Sequence, residues 1–89
     1  MKAYIISYDL TNPGKNYEEL LKKIKTYKWA RLGGSAYAVI SYNTAVEIRD
    51  NLKLALDSND KLFVGTLVAQ AAWSGLPEEV SKWLINNIK

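Results

Sequence analysis

The 89-residue chain contains no cysteine and no histidine. Without cysteine there are no disulfides, thiol nucleophiles or thiolate metal ligands. Without histidine there is no imidazole acid–base chemistry and no zinc site of the usual kind. Any catalysis is left to carboxylates, lysines, tyrosines, serines or a hard metal ion. No basic leader followed by an apolar stretch opens the chain, and no apolar run reaches membrane-spanning length. A soluble, cytoplasmic protein with no membrane partner is expected, and the lack of cysteine fits a reducing compartment. A Gly-rich phosphate loop is also missing, because Gly33-Gly34 falls in an expected hairpin and not between a strand and a helix.

The chain is instead rich in apolar and aromatic residues: 48% hydrophobic, with three Trp, six Tyr and one Phe. Its length allows one domain, residues 1–89, and a domain this small buries a modest share of its surface. Surplus apolar surface in a short chain points to a subunit interface, with a two-fold homodimer as the default. The net charge of +3 is mildly basic, compatible with RNA or DNA without being diagnostic of either.

The run Lys2-Ala3-Tyr4-Ile5-Ile6-Ser7-Tyr8-Asp9-Leu10 is apolar, β-branched and aromatic, as a buried strand requires. It ends on a carboxylate, and the turn-forming Asn12-Pro13-Gly14 follows. Asn16 with Glu19 reads as a capping box for a helix over about 17–26, whose apolar stripe is Tyr17, Leu20, Leu21 and Ile24. Lys28 to Leu32 reads as a short strand. Gly33-Gly34 predicts a tight primed turn using positive φ, and residues 35–42 form the return strand. Thr44 with Glu47 is a second capping box, opening a helix with Ala45, Ile48, Leu52, Ala55 and Leu56 on its core side. Residues 57–60 read as a plain stop and turn. A last strand runs from Lys61 to about Ala69, with Gly65 marking a bulge or a close backbone contact. Pro77, Glu78 and Glu79 open a terminal helix reaching about residue 88, with Val80, Trp83, Leu84 and Ile88 on its apolar side.

The order strand–helix–strand–strand–helix–strand predicts an α+β, ferredoxin-like βαββαβ domain. Its four antiparallel strands would run 4-1-3-2 with two helices on one face, and the C-terminal helix is an appendage. The other sheet face then needs cover, either from the terminal helix or from a second subunit.

In this topology Asp9 ends a central strand. Two chemistries are open to it: capping the following loop as an Asx-turn, or holding a divalent cation. Paired with its copy across a dimer axis, it would resist joint ionisation, and Mg²⁺ or Mn²⁺ would relieve that repulsion. Such a site activates water for phosphodiester cleavage without histidine or cysteine. Ser7, Tyr8, Arg31 and Ser35 are its candidate polar neighbours. Arg31, Ser35, Ser7 and Lys28 are the candidate nucleic-acid contacts, and Trp29, Tyr37 and Trp73 are either core residues or base-stacking ones. The lysine cluster 22, 23, 25 and 28 is either a solvated face or a phosphate-contacting patch.

The opening strand with Tyr8-Asp9-Leu10, the polar loop and Lys-rich helix after it, Gly34-Ser35-Ala36-Tyr37, and Asp60-Lys61-Leu62-Phe63-Val64 together resemble CRISPR-associated protein 2. Pro13-Gly14, Trp29-Ala30-Arg31 and Ala71-Ala72-Trp73 look like the short SinR-like proteins grouped with that family by fold. The resemblance covers most of the chain through short motifs. It implies a ferredoxin-like homodimer in antiviral defence, acting on nucleic acid either as a metal-dependent endonuclease or as a non-catalytic scaffold. It also implies a metal-binding, catalytic role for Asp9. Two features depart from the family. Ala38 stands where the family often carries Glu after the aromatic residue. The chain ends in a helix where the family often has a strand crossing to the partner, so the integrase contact does not carry over.

Two functions remain open: a metal-dependent nuclease dimer using Asp9, or a non-catalytic dimer that binds nucleic acid or protein as a defence-associated or toxin-like component.

Overall fold

The computed structural model describes residues 1–12 and 17–89. Seven elements follow in order: β1 (Lys2–Asp9), α1 (Glu18–Ile24), β2 (Lys28–Gly33), β3 (Ala36–Ser41), α2 (Ala45–Lys53), β4 (Lys61–Thr66) and α3 (Glu78–Asn87). The strands form one antiparallel sheet in the order β2-β3-β1-β4. This is the expected α+β, ferredoxin-like arrangement with an added C-terminal helix.

Alternation along β1 sorts the sheet into two faces. Tyr4, Ile6 and Tyr8 join Tyr37 and Val39 of β3 in a core with Leu20 and Ile24 of α1 and Ile48 and Leu52 of α2. The largest of these aliphatic side chains are sealed from solvent. α2 is set in register by its capping box: Thr44 Oγ1 accepts from the Glu47 amide at 3.1 Å, and the Thr44 amide donates to Glu47 Oε1 at 2.8 Å. Those backbone and hydroxyl hydrogen bonds from Thr44 hold the Glu47 carboxyl below its usual range. The capping box expected at Asn16 and the Pro13-Gly14 turn lie outside the described residues.

The second face carries Ala3, Ile5, Ser7 and Asp9 from β1, with Ala38 and Ile40 across the β3 register and Ala30 across the β2 register. Here α3 supplies the cover that the sequence assigned to a helix or a second subunit. It packs against β2, its Val80 and Trp83 share a pocket with Ala30, and its Leu84 is buried. Ala3, Ala30 and Ala38 are buried on this face, because methyl-sized side chains let a helix approach the sheet closely. The segment after β4 stays attached through the Leu67 amide to the Ala3 carbonyl (2.8 Å) and the Ala69 amide to the Lys89 carbonyl (3.2 Å).

Three local expectations change. The β2–β3 turn sits at Gly34-Ser35, with Gly33 inside the strand. Gly75, at φ 84°, is the positive-φ residue among those described, so this turn is not of the primed type. A register irregularity between Arg31 and Gly33 absorbs the difference. Strand β4 ends at Thr66, short of Ala69, and keeps an unbroken register with β1. Gly65 therefore marks a close contact and not a bulge: the contact is the ring of Phe63.

Candidate metal and nucleic-acid site

Asp9 closes β1 at the rim of the sheet, on the second face and beyond the reach of α3. The β-branched and aromatic run before it forms the strand, and the side-chain alternation turns Ser7 and Asp9 together toward solvent. Across β4, the Cα partner of Asp9 is Lys61 and that of Ser7 is Phe63. Ser7, Asp9, Lys61 and Phe63 line a shallow depression of about 180 Å³.

The loop-capping role open to Asp9 is filled by another residue. Asp60 Oδ1 accepts from the Thr11 amide (2.9 Å), the Thr11 hydroxyl (3.0 Å) and the Tyr17 hydroxyl (3.1 Å), and Oδ2 accepts from the Asp57 amide (2.8 Å). One carboxylate thus ties the loop after β1, the start of α1 and the turn before β4. The Thr11 backbone N–H is the largest cause that holds the Asp60 carboxyl below its usual range, with the Asp57 amide and the two hydroxyls adding to it. Burial, then Asp60, pushes the Tyr17 hydroxyl up. In the sequence Asp60 reads as turn punctuation. Its local signal was an Asp three residues after Asp57, the spacing at which a side-chain carboxylate returns to the backbone N–H of the residue that opens a turn. Among the described residues Asp9 makes no side-chain hydrogen bond and no ion pair. Its carboxylate is exposed and unengaged.

The other sequence candidates divide. Ser7 stands beside Asp9. Ser35 lies at the same end of the sheet, its carbonyl accepting from the Tyr8 amide at 3.1 Å. Tyr8 turns into the core, where burial first and Tyr37 second push its hydroxyl up against the opposing pull of Arg31. Arg31 is therefore on the helix face with Tyr37, opposite Asp9, and its Nε donates to the Gly33 carbonyl at 3.1 Å. Lys28 pairs with Ile40, itself opposite Ala3, so it lies at the far end of the sheet from Asp9. Tyr37 is core, and Trp73 donates from Nε1 to Ser81 Oγ at 3.0 Å. Trp29 is partly exposed at the outer strand.

No family model matches this sequence. The fold has a solved counterpart. The chain is similar to a hypothetical protein from Thermus thermophilus, with a TM-score of 0.66 and 20% identity over 84% of this chain and 92% of that one. A likeness at that identity carries the fold alone.

A divalent cation of the Mg²⁺ or Mn²⁺ type asks for carboxylate and water oxygens. Asp9, with Ser7 beside it, offers one carboxylate. Among the described residues no group of three or more acidic side chains stands together. By itself Asp9 therefore supplies fewer oxygens than such a cation takes. Among the described residues, no helix is long and apolar enough to cross a membrane.

Proposed function

We propose that the protein is a cytoplasmic, homodimeric nucleic-acid-acting protein of the CRISPR-associated protein 2 type, cleaving phosphodiester bonds with a divalent cation held at Asp9. The observation that carries this reading is the unengaged Asp9 carboxylate at the end of a central strand, its capping duty discharged by Asp60. Lys61 stands opposite, its side chain suited to a phosphate oxygen. Bound there, Mg²⁺ or Mn²⁺ would lower the pKa of a bound water and neutralise charge on the phosphate. Asp9 would hold the ion, and Ser7 would orient water or phosphate.

The dimer reading is supported by the strip that α3 leaves open. Ile5 is half-buried there and Phe63 is 62% exposed, both on the face that carries Asp9. A two-fold contact through this strip would bring the two Asp9 residues toward each other, each adding a carboxylate to the ligand set. A second reading, a non-catalytic dimer, is favoured because, among the described residues, no further acidic side chains gather with Asp9 into a group of three.

One experiment separates them. Labelled RNA and duplex DNA are incubated with the protein in Mg²⁺, Mn²⁺ or chelator, beside Asp9→Asn. Metal-dependent cutting lost in the variant is expected. A wild type that cuts nothing, or a variant that cuts equally well, leaves the non-catalytic reading.

A further inference from the structure

A second feature lies on the far side of the domain from Asp9. Strand β2 is an outer strand, paired only with β3. At its open edge Trp29, Ala30 and Arg31 meet Glu79, Val80 and Trp83 of α3 around a pocket of about 260 Å³. That is smaller than the sites of drug-sized ligands and suits one flat ring system. Two of the three tryptophans in the chain line it. Trp29 is held edge-to-face on buried Tyr37, with centroids 5.9 Å apart and planes at 63°, yet remains 40% exposed. Lys25 Nζ stands 5.0 Å from the Trp29 ring centre. Lys25, Lys28 and Arg31 are exposed and, among the described residues, enter no ion pair.

We infer that this seam between β2 and α3 binds an unpaired nucleobase of single-stranded nucleic acid. The base stacks on the indoles that line the pocket, and the flanking phosphates lie against Lys25 and Arg31. This rests on the reading of the chain as nucleic-acid-acting, but on neither Asp9 nor a metal. The charge layout favours this ligand over an acidic peptide. Arg31 lines the pocket and Lys25 stands over Trp29, while Glu79 stands in the wall. An acidic side chain entering the pocket would meet Glu79 at the cost of like-charge repulsion. A nucleobase is neutral, carries N–H donors that a carboxylate accepts, and keeps its charge outside on the backbone. A duplex hides its base faces in the stack and cannot enter, so the site selects single strands.

The test is a titration of the full chain with a fluorescein-labelled 12-nucleotide single strand and with its duplex, in chelator so that nothing is cut. Anisotropy and tryptophan emission are both read. The single strand is expected to quench tryptophan emission and to bind about tenfold more tightly than the duplex. Trp29→Leu and Trp83→Leu should each weaken it by about tenfold. Arg31→Ala and Lys25→Ala should weaken it and flatten its salt dependence; these two surface changes keep the test open if a tryptophan variant fails to fold, as thermal melts would show. Equal affinity for duplex, absence of quenching, or binding untouched by the pocket variants overturns the proposal. Displacement of the strand by an oligo-glutamate peptide with the same quench overturns it in favour of a peptide groove. An Asp9→Asn variant that binds like the wild type, or a wild type that binds without ever cutting, leaves this pocket standing whatever becomes of the metal reading.

Discussion

Phe63 lays its ring over Gly65 on the sheet face that α3 leaves open. A Cβ built on Gly65 would stand 2.7 Å from Phe63 Cε2 and 2.9 Å from Cζ. The glycine lets the aromatic ring lie along the strand. The obstacle is the far end of an exposed side chain, so the ring can swing away. Gly65→Ala also removes the entropy cost of glycine in a strand, about 0.5–1 kcal/mol. The two effects oppose, and denaturant unfolding should place the variant within about 1 kcal/mol of the parent. A loss well beyond that would mean the ring is pinned, as it would be beneath a second subunit.

Asp60 predicts a pH dependence. Its folded-state pKa is lowered, chiefly by the Thr11 amide, while the unfolded carboxyl titrates near about 4. A lowered folded-state value means that the unfolded chain takes up the proton first. The contribution is therefore complete above the unfolded value and is lost as pH falls through the folded one. Melting temperature measured from pH 7 downward should fall below about pH 4 in the parent. The fall should be shallower in Asp60→Asn, which starts lower at pH 7 because an amide cannot accept from all four donors. Identical pH profiles for the two proteins would remove Asp60 as the clamp.

Much of this fold was legible because its signals are local. The alternation in β1, the Thr44–Glu47 box and the stripe through Ile48 and Leu52 each act within a few residues, and the strand order follows from the βαββαβ pattern. What was not legible depends on partners distant in sequence. Asp60 reads as turn punctuation until the sheet brings Thr11 and Tyr17 beside it, 49 and 43 residues away. Arg31 looked like a neighbour of Asp9, but the β2–β3 register puts it with Tyr37 on the opposite face. Paired glycines at 33 and 34 suggested positive φ, yet the irregular register next to them closes the turn without it.

The Thr44 cap gives a stability prediction with a known scale. Its hydroxyl satisfies the Glu47 amide, and the Glu47 carboxylate returns to the Thr44 amide. Thr44→Ala leaves one donor at the start of α2 without its partner, and it should lower unfolding free energy by about 1 kcal/mol. Thr44→Ser keeps the acceptor and should lose less. Equal losses would show that the methyl group, and not the hydroxyl, is what matters at this position.

The surroundings of Ala38 decide what a charge at that position would do. Ala38 is fully buried on the second face, opposite Ala30 on the strand that α3 packs against. A glutamate at this position would carry its charge beneath the helix, in a place now fully closed to solvent. Burying an unpaired carboxylate costs several kcal/mol, which the protein can avoid only by protonating it or releasing the cover. Ala38→Glu is therefore expected to destabilise the domain by about 3 kcal/mol or more, or to detach α3, and not to strengthen metal binding at Asp9. Denaturant unfolding gives the first outcome. Amide exchange gives the second, as lost protection confined to residues 78–87. A stable Ala38→Glu protein with raised Mg²⁺ affinity would mean that this face is open in solution and that α3 does not lie across it.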